Sequence, residues 1–324
     1  MLRVGIIGAG GMGNVHARHY VKMPDVELSF YEQDPERATQ FQATHAAVAA
    51  KSAQELIKSV DVVDVCLPSD LHHTYGLMSI REGKATFIEK PLAKTLQQGA
   101  ELVEAADIAK VALGTGQVVR YFPEFRTAHN IVKGNKIGTP AAARMRRGGT
   151  MPGKGNANWF MDHSRSGGVL IDLAIHEFDW LRWTLGEVKF LYARSLGAKS
   201  MSGPDYALTT LTVECGAVAH VESTWMDPNG FRTTFEVSGS GGMIEFDSKN
   251  TPTLRTNSNG TVTNEGPLAA SDDPYFKELR AFLDAVAGGT EPPVSGFDGL
   301  KALSIAEAAL ESAKTDKVII PATV

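Results

Sequence analysis

Three segments of this chain carry residues able to grip an anion, hold a hydroxyl group or move a proton. Near the start, Gly8-Ala9-Gly10-Gly11-Met12-Gly13 fits G-x-G-x-x-G. Later, Glu89-Lys90-Pro91 sets a cation beside a proline, and Asp172 and His176 stand four residues apart in an apolar stretch. In the first segment, Gly8 permits a tight turn and Gly10 lets backbone approach a pyrophosphate without a Cβ in the way. Gly13 lets the next helix pack on its strand. With Gly11 and Met12, the loop offers the N–H groups of a helix start to phosphate. A lysine at the carboxyl end of a strand can hydrogen-bond a substrate hydroxyl and a nicotinamide ribose, and its charge favours a developing alkoxide.

Glu32 stands roughly 20 residues beyond Gly13, the offset at which an acid takes the ribose hydroxyls of a dinucleotide. A carboxylate there repels a 2′-phosphate, so NAD is favoured over NADP. Neither Tyr31 nor Gln33 supplies a compensating cation. Residues 168–185 read as one helix, which puts Asp172 and His176 on one face, a turn apart. That face continues through Val169, Asp179 and Trp183, while Leu170, Phe178, Leu181 and Leu185 occupy the opposite side. A carboxylate and an imidazole on a largely apolar helix are costly unless both have partners. Gly167 and Gly168 just before them leave room for a ligand to approach the backbone.

The elements that must position these groups fall into two patterns. Through the first third, β-branched runs (3–7, 26–31, 46–48, 62–66, 86–89, 111–115) alternate with helical stretches (14–21, 35–42, 53–59, 71–82, 95–109). Such alternation implies βαβ units and a parallel sheet with helices on both faces. The pattern changes near Gln117–Pro123. Beyond the 168–185 helix come five strand-like runs (188–195, 206–215, 217–225, 231–238, 243–247) joined by short turns, which favours antiparallel pairing. Helices at 274–286 and 296–314 close the chain. The predicted fold is therefore α/β Rossmann, a doubly wound parallel sheet over residues 1–120. A C-terminal α+β domain over 121–324 follows, with a large open, mainly antiparallel sheet. An open sheet must cover its second face, and assembly into a homodimer or homotetramer would do so.

Composition narrows the partners. The chain has 324 residues, 43% hydrophobic and 21% charged, with a formal net charge of −5, so nothing marks a surface for nucleic acid or anionic membrane. Arg144, Arg146 and Arg147 read as the solvent face of a strand. Cys66 and Cys215 lie far apart in apolar stretches and read as small buried hydrophobes of a reduced compartment. No metal site is expected, because neither cysteine has a close partner and His16, His19, His45, His73, His129 and His220 form no ligand spacing with nearby carboxylates. No apolar run approaches the roughly 20 residues that span a bilayer. The strand-like Leu2–Ile7 run leaves no room for a signal peptide, so a cytoplasmic location is expected.

Two further segments complete a recognisable set: Pro68-Ser69-Asp70-Leu71-His72, and Ser166-Gly167-Gly168-Val169-Leu170-Ile171-Asp172-Leu173-Ala174-Ile175-His176. With the glycine loop and Glu89-Lys90-Pro91, in this order and over nearly the whole chain, the sequence resembles the glucose–fructose oxidoreductase / inositol dehydrogenase / MocA family. The resemblance implies that Lys90 is an active-site residue. His176 is then the general base that takes a substrate hydroxyl proton, and Asp172 positions substrate or assists the proton's movement. Pro68, His72 and Glu89 fall on the dinucleotide side, and the chemistry is metal-free. Arg120, Trp159 and His163 are candidate contacts to substrate, from their places near the domain junction or before the glycine pair. Three residues depart from the family pattern: Ser166 and Ala174 replace glycines, and Asp70 replaces a common asparagine.

The expected reaction is reversible oxidation of a secondary alcohol on a sugar, inositol or related polyol. It requires the Lys90 amine and the His176 imidazole to face one nicotinamide ring. Reduction of a dihydrodiol or a biliverdin-like molecule, or NAD-assisted glycoside cleavage, would use the same scaffold. A dinucleotide-sensing regulator without catalysis is a further alternative, and retention of Lys90, Asp172 and His176 together argues against it.

Overall fold

A computed structural model describes residues 1–152, 158–203, 205–228, 230–250, 254–258, 261–265 and 273–324. It opens with alternating strands and helices: β1 (Leu2–Ile7), α1 (Gly11–Tyr20), β2 (Val26–Tyr31), α2 (Pro35–His45), β3 (Val48–Ala49) and α3 (Ala53–Ser59). Then come β4 (Val62–Val65), α4 (Ser69–Arg81), β5 (Ala85–Ile88), α5 (Leu96–Ala109) and β6 (Leu113–Thr115). The six strands form one parallel sheet in the order β3-β2-β1-β4-β5-β6. The order reverses between β1 and β4, so the crevice at their carboxyl ends is where a doubly wound sheet takes its ligand. Every residue of β4 and β5 is buried, as in central parallel strands covered on both faces.

Local chemistry fixes the helix starts. The Asp34 carboxylate accepts from the Glu36 and Arg37 N–H groups with Pro35 behind it, Ser52 caps α3 and Thr95 caps α5. The strand expected at 46–48 shrinks to Val48–Ala49. Ala46 is instead left-handed, with φ of 51°, and its N–H closes α2 on the Gln42 carbonyl.

The remaining elements are α6 (Pro123–Lys133), β7 (Pro140–Gly148), α7 (His163–Ser166), α8 (Gly168–Asp172) and α9 (Ile175–Leu185). They continue with β8 (Val188–Ser195), β9 (Tyr206–Val213), β10 (Val218–Thr224), β11 (Arg232–Gly239), β12 (Gly242–Asp247), β13 (Leu254–Ser258) and β14 (Thr261–Glu265). Helices α10 (Pro274–Gly288) and α11 (Gly296–Thr315) end the chain. Strands β7 to β14 make an eight-stranded sheet in the order β14-β13-β12-β11-β7-β10-β9-β8. Its pairings are antiparallel except for β7 with β10. Phe125, Trp180, Phe235 and Phe246 pack ring against ring in the core of this part, with centroids 4.9 to 5.8 Å apart.

Two corrections to the sequence reading concern residues near the candidate site. Arg144 and Arg146 do face outward from β7. Arg147 points the other way, is buried, and pairs with Glu177 at 2.7 Å, because successive strand residues alternate faces. The single helix expected over 168–185 is broken. The Ala174 N–H reaches back five residues to the Val169 carbonyl, and that of Glu177 reaches only three, to Ala174. Asp172 therefore ends α8 and His176 lies in the first turn of α9.

The chain forms two compact units: Met1–Val118 with Asp273–Leu300, and Val119–Asp272 with Lys301–Val324. The segment Asp273–Leu300, assigned from sequence to the C-terminal domain, thus belongs with the Rossmann sheet. Its helix α10 buries Leu279, Phe282 and Leu283 in the same core as Val4, Phe30 and Phe87. The Phe282 ring lies 5.2 Å from that of Phe87. Arg280 adds an ion pair to Asp25 at 2.9 Å.

Candidate active site

The glycine loop is built around two contacts that no side chain could survive. A Cβ on Gly13 would sit 2.0 Å from the Gly8 carbonyl oxygen, and one on Gly8, at φ +104°, would sit 2.6 Å from the Cys66 carbonyl. Gly10 and Gly11 differ: a Cβ on either would meet nothing within 4 Å. Their side of the loop is open, as a bound pyrophosphate requires, and it lies over the start of α1, whose first N–H groups have no intrahelical carbonyl. The residues present fit a dinucleotide.

The loop is braced from behind. Asn14 donates to the Ala9 and Gly10 carbonyls at 3.0 and 2.9 Å, and its side-chain oxygen meets His45 Nε2 at 2.8 Å. Glu32 accepts from the N–H groups of Ala9 and Asp34, both at 2.9 Å. Each carboxylate oxygen keeps a further lone pair, so Glu32 can hold the loop and accept from a ribose hydroxyl together. Arg37 lies 3.6 Å from Glu32. It is the cation that inspection of Tyr31 and Gln33 alone did not find.

At the ends of β4 and β5, Pro68 precedes α4 and Lys90 follows the buried Glu89. The Lys90 N–H donates to Glu89 Oε2 at 3.0 Å, the Lys90–Pro91 peptide is cis, and Leu92 and Ala93 are buried just beyond. His72 is buried, with Nδ1 2.7 Å from the Pro91 carbonyl and Nε2 2.8 Å from that of Leu67. Burial lowers its pKa against the pull of those two carbonyls. The ring's polar atoms thus brace the loop after β4 against the turn after β5, at a place where the resemblance implied a cofactor contact. Beneath them, His16 Nδ1 lies 2.8 Å from Asp64 and its Nε2 3.1 Å from Glu89. Sequence reading set His16 aside because no carboxylate is near it along the chain. The available signal was Asp64 itself, an acid inside the apolar run Val62-Val63-Asp64-Val65, which demands a buried partner.

In the second unit, Gly167 and Gly168 are both left-handed, with φ of +80° and +71°. A Cβ on Gly168 would lie 2.8 Å from His163 Nδ1, and one on Gly167 2.6 Å from the Ile171 side chain. The pair is therefore required by backbone conformation and packing rather than by room for a ligand. Ser166, a departure from the family's glycine, accepts from the Gly168 N–H at 3.1 Å and donates to the Phe160 carbonyl at 3.0 Å, which stiffens the turn. His163 is buried beneath this turn with Nε2 3.0 Å from the Gly203 carbonyl, and Trp159 stacks on Phe160 at 4.0 Å.

Asp172 and His176 are 3% and 9% exposed, in a stretch whose aliphatic neighbours are equally buried. One turn beyond His176, Asp179 accepts two bonds from Arg120 at 2.7 and 2.5 Å, in the bidentate geometry suited to guanidinium and carboxylate. Arg120, expected among the substrate contacts, is directed instead at the helix that carries His176. The Arg147–Glu177 pair flanks the same turn. Among the described residues, His16, Asp64 and Cys66 form a group whose atoms could hold a metal ion. No described helix is long and apolar enough to cross a membrane.

A parallel doubly wound sheet, an open glycine loop at its switch point and an acid just after β2 define a dinucleotide-binding protein. Residues 2–117 match the oxidoreductase family described as having an NAD-binding Rossmann fold, and residues 125–245 match the GFO/IDH/MocA C-terminal domain. The chain belongs to the GFO/IDH/MocA family of NAD-binding oxidoreductases. A myo-inositol 2-dehydrogenase of Thermotoga maritima is 29% identical over 328 residues, covering 96% of each chain. A 1,5-anhydro-D-fructose reductase of Ensifer adhaerens is 28% identical over 330 residues, covering 97% of each. Levoglucosan dehydrogenase in complex with NADH shares the fold, with a TM-score of 0.89 at 23% identity over the full length of both chains.

Proposed function

We propose that this enzyme reversibly oxidises a secondary alcohol of a sugar, inositol or related polyol, with NAD preferred to NADP. The observation that carries the reading is the burial of Asp172 and His176 on a helical pair that the Arg120–Asp179 and Arg147–Glu177 ion pairs hold in place. Burying two ionisable groups is unfavourable unless they serve each other or a ligand. The myo-inositol and anhydrofructose relatives support a polyhydroxylated substrate.

In this reading the glycine loop and Glu32 bind the dinucleotide, which when bound supplies the hydride acceptor. His176 takes the proton of the reacting hydroxyl, Lys90 holds that oxygen as charge develops on it, and Asp172 fixes it or a neighbouring hydroxyl. Trp159 and His163 shape the substrate side. The outward face of β9 and β10, with Tyr206, Leu208 and Val218, is proposed as a surface for homodimer or homotetramer assembly. Cys66 is buried while Cys215, expected to be buried, is exposed; both are free thiols, which supports the proposed cytoplasmic location.

A panel of sugars, inositols and sugar acids with NAD+ and NADP+, followed by absorbance of the reduced cofactor, tests the substrate class. His176→Ala should cut turnover by roughly 10²- to 10⁴-fold, the ordinary worth of a positioned base, with NAD affinity almost unchanged. Turnover that survives this substitution intact would remove His176 from the mechanism.

A further inference from the structure

His16 lies three residues after the last glycine of the loop, wholly buried, and both of its ring nitrogens face carboxylates. Nδ1 is 2.8 Å from Asp64 Oδ2, and Nε2 is 3.1 Å from Glu89 Oε1. A neutral imidazole has one N–H, so it would turn a lone pair toward one of these anions. Doubly protonated, it hydrogen-bonds Asp64 through Nδ1 and sets the charge at Nε2 beside Glu89 as an ion pair, without hydrogen-bond alignment there. The other oxygen of Glu89 accepts from the Lys90 N–H at 3.0 Å. A Cβ on Gly116 would lie 3.1 Å from the Glu89 carboxyl carbon, so that side chain has little room to move.

We propose that His16 is a permanently charged positioning residue, an imidazolium held between Asp64 and Glu89 that locks the helix of the phosphate loop to the turn carrying Lys90. Its value to turnover rests on the reading that Lys90 serves the reaction. The groups that face it are Asp64 on β4, Cys66 just after, Glu89 after β5, Tyr20 and His19 on α1, and Tyr275 on α10, whose ring centre is 6.4 Å away. Burial pulls the His16 pKa down, but Cys66 and Asp64, through charge and hydrogen bonds, outweigh it and hold the ring well above the usual 6.5. Burial, then the Asp64 charge, push the Cys66 thiol up against the pull of His16, and its sulfur lies 3.3 Å from both Asp64 Oδ1 and His16 Nδ1. His16, Asp64 and Cys66 lie at hydrogen-bond spacings of 2.8 to 3.3 Å, the arrangement the clamp requires.

Two measurements decide the matter. In wild-type enzyme labelled with ¹⁵N-histidine, the His16 ring signals, assigned by loss in His16→Gln or by shift in Glu89→Gln, should stay at doubly protonated values from pH 6 to pH 9. Neutral-ring values, titration near the ordinary histidine range, or a stoichiometric metal ion in the isolated protein would overturn the proposal. In the second, His16→Gln and Glu89→Gln should each lower kcat/KM by roughly 10- to 100-fold, the scale of a small misplacement at a reacting centre, and weaken NAD binding. The double variant should be no worse than the worse single, since both break one connection; additive losses would refute it. Lys90→Ala is the separate control. If it leaves kcat intact, the role of Lys90 falls, while ring charge and NAD affinity still judge the clamp.

Discussion

The phosphate loop and the helix that carries His176 are held by different means. The first is shaped by absent side chains and by hydrogen bonds to its backbone: Gly13 pressed on Gly8, Asn14 and Glu32 on loop backbone. In the second, His176 sits on a helix pinned by two buried ion pairs, Arg120–Asp179 and Arg147–Glu177. The difference follows from the task. A loop that offers N–H groups to phosphate must be close-fitting behind and bare in front. A side chain that moves a proton needs its helix held in one orientation, and bidentate charge pairs supply that.

Breaking the second device should give the largest stability effect. Asp179→Ala leaves the Arg120 guanidinium buried without its main carboxylate and should destabilise the fold by about 3–5 kcal/mol, read from urea unfolding. A loss near zero would mean that the pair does not hold α9. Gly13→Ala attacks the first device, because its Cβ would meet backbone that cannot rotate away. NAD affinity measured by calorimetry should fall roughly 100-fold, with the second unit's near-ultraviolet dichroism unchanged. Binding at wild-type strength would show that the loop tolerates what the geometry forbids.

The smallest effect is a pH dependence in the second unit. His129 stacks on Trp183 at 3.4 Å, and burial, then the charges of Lys133, Arg126 and Arg120, lower its pKa from 6.5 to about 4. A base depressed in the folded state stays neutral while the unfolded chain takes up a proton. Stability is therefore lost as pH falls from 6.5 toward about 4. The ring is part-exposed, so solvent keeps this slope shallow. His129→Gln should flatten it in thermal melts across that window; an unchanged slope would place the acid sensitivity elsewhere.

The parallel sheet was legible because its signals are local: β-branched strands, capped helices and a glycine loop follow one another along the chain. The second unit was less so. In β7, Ala141, Ala142 and Ala143 carry little strand preference, and pairing with β10 and β11 overrides it. The break between α8 and α9 rests on two shifted hydrogen bonds that no residue type announces. In the candidate site, Gly8, Gly10, Gly13 and Glu32 could be read from spacing. The partners of Arg120 and of His16 could not, since each meets its carboxylate only after distant segments have packed.

The return of α10 to the Rossmann core has a consequence for how this polypeptide is made. Residues 1–118 are made well before 273–300, so the seat for Leu279, Phe282 and Leu283 stays uncovered until that later stretch has been synthesised. The usual order, one domain finished before the next begins, is thereby broken. The parallel sheet is sealed late, after the large sheet has been translated.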